Sequence, residues 1–168
     1  MQTFLPYPDF FLSAEALDPR RLGKQRVEAL QLLNSLDPAH SLRGWRNHPA
    51  RIMWRGFPSA LAFYGVVICR RWTRLGYADT CRDKILLSLW RQSFLRDSEE
   101  RLEELYRTAM EGKLPGFLPP WFGKEEFHRS HRSSLLRKDP AWYGACGWTD
   151  PPDLPYVWPG DSRQLSGA

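Results

Sequence analysis

The sequence is poor in the residues that build disulfide frameworks and metal sites. Its 168 residues include only three cysteines, which lie far apart and form no Cys-x-x-Cys pair: Cys69, Cys81 and Cys146. This pattern predicts neither a disulfide framework nor a zinc site. His128 and His131 have helical spacing, but two histidines without a positioned third ligand are weak evidence for a metal. We therefore expect no metal.

Long hydrophobic runs are also missing. No apolar run reaches the roughly 18 residues of a membrane span. The opening residues, MQTFLPYPDF, have neither the basic start nor the long apolar stretch of a secretory signal peptide. We therefore expect a cytoplasmic protein that does not associate with membranes.

The alternation of apolar and polar residues that is typical of strands does not occur, and there are no internal repeats. The pattern predicts an all-α, compact single-domain helical fold with long loops, and long helices at about 18–36, 59–75, 80–95, 98–111 and 124–137. We expect Asp97 to cap the fourth of these helices. Residues 1–16 are expected to form an irregular arm pinned to the core. The helical domain is predicted to cover 1–150, followed by a proline-rich, mobile tail at 151–168.

The stretch LDPRRLGKQRVEALQLL, residues 17–33, shows the clearest helix pattern. Asp18 is a good N-cap, and Pro19 falls at the first helical position, where a missing N–H costs nothing. One face of this helix is apolar, with Arg26 at its border, and comprises Leu22, Ala29, Leu30 and Leu33.

Another face of the same helix carries an acid among bases. Lys24 and Glu28 are four residues apart, with Arg21 and Gln25 nearby. One interpretation is a solvated ion pair, worth a few tenths of a kcal/mol (roughly 0.3–0.5). The other is a functional carboxylate, and other parts of the chain must decide between them.

The net charge of +5 predicts an anionic partner, most commonly nucleic acid. Basic and aromatic residues alternate between 37 and 57, where the sequence has Arg43, Trp45, Arg46, His48, Arg51, Trp54 and Arg55. This mixture suits phosphate contacts combined with base stacking. The alternative is a basic loop whose two tryptophans fill the core. Pro49 is expected to start a short helix here.

Three motifs resemble the pyrimidine-dimer DNA glycosylase/AP lyase family of the phage endonuclease V type. They are the LD…RLGKQRVEAL helix after a short arm, GWRNHP at residues 44–49, and RKDPAWYGACGW at residues 137–148. The third resembles the family's Pro-x-Trp-Tyr-x-x-x-Gly-aromatic ending. The resemblance covers roughly residues 1–148, and the order and spacing of the motifs carry it.

The resemblance implies a helical protein that binds damaged double-stranded DNA as a monomer and flips a base out of the duplex. The α-amine of the first residue, here Met1, attacks the sugar C1′, and Glu28 matches the assisting glutamate. Neither step needs a metal or an organic cofactor. An α-amine has a pKa of about 7.7–8.0 against about 10.4 for lysine, so more of it is neutral at pH 7. DNA contacts are expected from Arg21, Arg26, Arg43, Arg46, Asn47, His48, Arg129, Arg132, Trp142 and Tyr143.

The chain departs from the phage pattern at two positions. The phage enzyme loses its initiator methionine to expose a threonine, whereas the large residue Gln2 favours retention of Met1 here. The amine of Met1 is then the nucleophile, and Lys24 is the fallback amine for the Schiff base if Met1 is blocked. The phage enzyme also has an arginine immediately before its glutamate, where this chain has Val27. Two alternatives therefore stay open: a glycosylase of the same mechanism for another modified base, and a non-catalytic DNA-binding protein.

Salt dependence tests the predicted phosphate contacts. The logarithm of the DNA-binding constant should fall linearly with the logarithm of salt concentration, with a slope of about −0.9 per phosphate neutralised, because bound arginines release counterions. A titration of fluorescent duplex DNA at several salt concentrations measures this slope. A flat response would contradict a phosphate interface.

Overall fold

The computed structural model describes residues 1–40, 46–93 and 96–160. Over these ranges the chain has no strand, and the all-α prediction is confirmed. The helices in these ranges are α1 (Phe10–Ala16), α2 (Pro19–Leu36), α3 (Pro49–Trp54), α4 (Pro58–Arg74), α5 (Cys81–Gln92), α6 (Glu99–Met110), α7 (Glu125–Lys138) and α8 (Pro140–Gly144), with a 3-10 helix at Pro38–His40. In the part of the chain that is described, no helix has the length and apolar character needed to cross a membrane.

Helix α4 forms the centre of the core. Its residues 60–69 are all buried, so this stretch of the helix is covered on every side. Helices α1, α2, α5 and α6 pack against it. Gly65 allows the closest approach, because a Cβ at this position would lie 2.8 Å from Ile85 Cδ1 and 3.1 Å from Ala29 Cβ. A larger residue would therefore require the Ile85 side chain or the neighbouring helix α2 to shift.

The expectation of an irregular arm was wrong for residues 10–16, which form α1. Asp9 caps this helix, and its carboxylate accepts the Leu12 N–H at 2.9 Å. The buried ring of Phe10 stacks on Tyr106, with the ring centroids 4.7 Å apart. A good N-cap and a buried aromatic residue therefore outweigh the two prolines that precede them.

The N-cap of α6 also differs from the prediction. Ser98 caps this helix, and its hydroxyl accepts the Arg101 N–H at 3.2 Å. Asp97 lies one residue earlier, where its backbone carbonyl accepts the indole N–H of Trp90 at 2.9 Å. Because serine and aspartate are similarly good caps, the sequence could not rank these neighbouring candidates.

Residues 150–158 lie along α7. Two serines of this helix accept backbone N–H groups of the segment, Ser133 from Leu154 at 3.0 Å and Ser130 from Val157 at 3.2 Å. The Arg137 guanidinium donates to the Pro152 carbonyl at 2.6 Å. The segment thus packs on the helical core as far as residue 158, while the predicted domain boundary after residue 150 stays a prediction.

A residue of α8, Tyr143, stabilises the first turn of α2 through the N-cap Asp18. Asp18 caps α2 as predicted, and its carboxylate accepts the Arg21 N–H at 3.1 Å and the Tyr143 hydroxyl at 2.5 Å. The Arg21 guanidinium adds a contact to Asp18 at 2.7 Å. Burial raises the pKa of Asp18, but the hydrogen bonds from Tyr143 and Arg21 outweigh it and leave the pKa below its ordinary value.

The lowered pKa of Asp18 predicts a loss of stability in acid. Its contribution is complete above the unfolded-state pKa of about 3.9 and is lost as pH falls through the lower folded-state value. Asp18→Asn keeps a good cap but loses the charge, so it should lower the unfolding free energy by about 1–3 kcal/mol at pH 7. In this variant, the unfolding free energy should also fall less steeply as the pH is lowered.

Urea unfolding between pH 2 and 7 measures both effects. The matched control is Asp153→Asn, at an exposed aspartate. An acid limb of equal slope in the two variants would contradict the role of Asp18.

Candidate active site

The N-terminal segment, residues 1–5, enters the core, and its residues from Thr3 onward are at most 5% exposed. The indole N–H of Trp54, itself fully buried, donates to the Thr3 hydroxyl at 2.9 Å. Trp54 is therefore a core residue, so the stacking interpretation was wrong for this ring. Trp45 lies outside the described residues.

The side-chain amide of Gln25, from α2, holds this segment. Its Nε2 donates to the Gln2 carbonyl at 2.9 Å and to Glu28 Oε2 at 2.6 Å. Its Oε1 accepts the Phe4 N–H at 2.8 Å and the Tyr64 hydroxyl at 2.6 Å. Gln25 is 1% exposed, and these contacts satisfy both of its N–H donors and its carbonyl oxygen. One buried side chain thus joins the N-terminal segment to Glu28.

His128 and His131 hold the end of the same segment. The Leu5 N–H donates to His131 Nδ1 at 2.9 Å, and His128 Nδ1 donates to the Leu5 carbonyl at 2.8 Å. The second nitrogen of His128 accepts the Gly123 N–H at 3.0 Å. Burial lowers the pKa of both histidines, which keeps the rings neutral. These side chains serve the backbone, and the described residues contain no cluster of three or more His, Cys, Asp or Glu able to hold a metal.

Glu28 is 7% exposed, although it lies on the polar face of α2. Besides the Gln25 amide, its carboxylate faces the Gln2 N–H at 3.5 Å and the Lys24 ammonium at 3.5 Å. The Lys24 side chain is 74% exposed. The pair is therefore one buried carboxylate beside a solvated cation, rather than an ion pair solvated on both sides.

A cleft of about 510 Å³ opens above Glu28. This volume lies within the range of about 300–1,000 Å³ that is typical of small-molecule sites. Besides Glu28, the cleft is lined by Gln25 and three residues of the N-terminal segment, by four cations and by two aromatic residues. They are Met1, Gln2 and Phe4; Arg20, Arg21, Lys24 and Lys138; and His48 and Trp158. The site is therefore a carboxylate and the chain terminus within a ring of cations, which suits an anionic substrate.

His48 borders the cleft at the start of α3. Its Nδ1 accepts the Ala50 N–H at 3.2 Å, so the neutral ring carries its proton on Nε2. Burial lowers the pKa of His48, the N-terminal ammonium lowers it further, and Glu28 opposes both effects. His48 is thus a neutral N–H donor at pH 7, close to both Met1 and Glu28.

The other residues of the predicted RNHP contact lie at the surface. Arg46 and Asn47 are exposed and immediately precede His48. Arg43 lies outside the described residues.

Four residues predicted to contact DNA also make contacts within the protein, and their role toward DNA stays a prediction. Arg26 pairs with Asp79 at 2.5 Å, and its guanidinium lies 4.4 Å from the Trp72 ring. Arg129 and Arg132 both bind Asp150, at 3.0 and 2.5 Å. Arg21 lines the cleft, but its guanidinium is committed to Asp18 as described above.

The aromatic residues of α8 also serve the fold. Tyr143 is fully buried, stacks on Trp148 at 5.5 Å and binds Asp18, so it is not available to DNA. Trp142 is 45% exposed, while its indole N–H donates to the Ala16 carbonyl at 3.0 Å. Neither residue lines the cleft.

Several residues of the site were not singled out from the sequence as functional: Gln2, Phe4, Arg20, Gln25, Tyr64, Lys138 and Trp158. Gln25 had a detectable signal, because it lies three residues before Glu28 on the same face of the helix. The sequence contains no such signal for Lys138 and Trp158, since they reach the cleft only through the packing of α7 and residues 150–158.

These features define an all-α protein whose cleft combines a buried carboxylate, the N-terminal residue and a rim of cations. The chain belongs to the pyrimidine dimer DNA glycosylase family, whose model matches residues 1–85, just over half of the sequence. The chain is thus a DNA glycosylase by family, and DNA is its substrate. The comparisons with curated proteins and with solved structures gave no match.

The hydrogen bonds between the Gln25 side chain and the N-terminal segment, which we call the Gln25 clamp, predict a strong local effect of mutation. Gln25→Leu should destabilise the protein by roughly 2–4 kcal/mol, because it leaves buried polar groups of the segment without partners. It should also accelerate amide hydrogen exchange at Phe4. Gln92→Leu is the matched control, since Gln92 donates to the Leu33 carbonyl at 2.8 Å on another face of α2. Equal exchange at Phe4 in both variants would contradict the clamp.

Proposed function

We propose that the protein excises a damaged base, a cyclobutane pyrimidine dimer, and then cleaves the strand as an AP lyase. The nucleophile is the α-amine of Met1, and Glu28 is the assisting carboxylate. The observation that carries this proposal is the Gln25 amide, which binds both Gln2 and Glu28. It keeps the terminal residue and a buried carboxylate in one cleft.

In the first step, the neutral amine forms a bond to the sugar C1′ while the C1′–base bond breaks. The base takes the bonding electron pair and a proton, and it stays joined to the neighbouring pyrimidine through the cyclobutane ring. Positive charge develops on the sugar, and the Glu28 carboxylate stabilises it at short range in a partly desolvated site. The nitrogen then loses a proton and the ring oxygen O4′ gains one, so that the C1′–O4′ bond breaks and a protonated Schiff base forms.

In the second step, a proton is removed from C2′ and the 3′ phosphate leaves, which breaks the strand by β-elimination. Glu28 is the base for this proton. Water finally hydrolyses the Schiff base and regenerates the amine. The exposed cations of the rim, Arg20, Lys24 and Lys138, bind the phosphates that flank the extruded nucleotide.

Damage lowers the cost of extrusion, which is a few kcal/mol for a paired base (about 2–4), and this difference favours the lesion over intact DNA. Val27 is 41% exposed on α2, directly before Glu28. The phage enzyme carries an arginine at this place, so the present site makes one basic contact fewer. Arg20 and Lys138 supply positive charge at the same cleft.

Borohydride trapping tests the mechanism. Protein with a free N-terminus is mixed with duplex DNA that carries one thymine dimer or one abasic site, and the Schiff base is reduced. We expect a covalent adduct on both substrates, which peptide mapping assigns to Met1. Glu28→Gln should keep DNA affinity within about threefold but lower strand cleavage by at least about 100-fold, as expected when a charge-stabilising group is removed.

Glu15→Gln, at an exposed glutamate of α1, is the matched control for the charge change. An adduct that maps to Lys24 would assign the amine to the fallback residue. An adduct on the abasic site alone would keep the lyase and move the search to another damaged base. No adduct on either substrate would refute the catalytic mechanism.

A further inference from the structure

One wall of the cleft is built by a part of the chain outside the family match. Trp158 lines the cleft beside Met1 and Glu28, yet it lies 73 residues beyond the matched region that ends at residue 85. It also lies beyond residue 148, where the sequence resemblance ends. The site therefore contains a side chain from outside the part of the chain that the family model matches.

The segment that carries Trp158 is firmly attached. Asp150, at its start, binds two arginines of α7, Arg129 and Arg132. Burial raises the pKa of Asp150, but these arginines outweigh it and leave the pKa below its ordinary value, so Asp150 is ionised at neutral pH. The backbone contacts to Ser133 and Ser130 follow along the same helix. The position of Trp158 is thus set by α7.

The Trp158 ring itself has aromatic neighbours on the protein side. Its centroid lies 4.5 Å from that of Tyr156 and 6.3 Å from that of His48, with the His48 ring at 88° to it. Tyr156 in turn packs against His131, at 4.6 Å. These contacts hold the indole at the cleft, where it remains partly exposed.

We propose that Trp158 is a specificity-determining residue that packs against the leaving nucleobase. This inference rests on the proposed function, because an amine that reaches C1′ brings the attached base into the same cleft. The cations of the rim suit phosphates, whereas the indole offers the broad apolar face that suits a base. Trp158 therefore binds the base during its departure, and it has nothing to bind at an abasic site.

The reactions on thymine-dimer DNA and on abasic-site DNA separate a contact with the base from a general effect on activity. Trp158→Ala and Trp158→Leu should lower the single-turnover rate of glycosyl-bond cleavage in thymine-dimer DNA by roughly 10- to 100-fold, a loss typical of one base–aromatic contact. The same variants should cleave abasic-site DNA within about threefold of the wild type. Trp158→Phe should retain most of the glycosyl-bond cleavage rate, because it keeps an aromatic face.

Trp158→Leu fills space without an aromatic face, so it serves if Trp158→Ala does not fold. Tyr77→Ala is the matched control, since Tyr77 is exposed and stacks on Trp72. Equal losses on both substrates, or no loss on dimer DNA, would overturn the proposal for Trp158 alone. A wild-type protein inactive on both substrates would instead refute the proposed function, and this inference with it.

Discussion

The side-chain amide of Gln25 is the interaction on which the site depends. Each of its N–H groups and its carbonyl oxygen is used, and the partners belong to the N-terminal segment, to α2 and to α4. A buried amide left without partners would cost about 1–3 kcal/mol per group. The complete set of bonds therefore fixes one position of the segment, and with it the position of the terminal residue relative to Glu28.

The burial of polar groups continues along the segment. His131 and His128 bind the backbone of Leu5, and Trp54 binds the Thr3 side chain. A chain terminus normally frays, because few contacts hold it. Here side chains from α2, α4 and α7 meet backbone groups of the segment, while Trp54 of α3 binds its Thr3 hydroxyl. This arrangement explains why polar residues occur within a core that is otherwise aromatic and aliphatic.

The positive charge of the protein is divided between two uses. Arg26 pairs with Asp79, and Arg129 and Arg132 share Asp150, so part of their charge is neutralised within the protein. Arg20, Lys24 and Lys138 are exposed at the cleft and are the cations that an anionic substrate meets. Net charge alone could not separate these two groups, because the pairing of an arginine depends on which aspartate the fold brings to it.

The sequence by itself determined the long helices and the position of the acid. Helical periodicity and caps are local properties, so Asp18, Pro19 and the polar face with Glu28 were readable without a structure. The tertiary structure decided which residues meet at the cleft. Tyr143, a predicted DNA contact, became a support for α2, and Trp158 became a wall of the site. Both outcomes depend on packing between segments more than 100 residues apart, which no local pattern encodes.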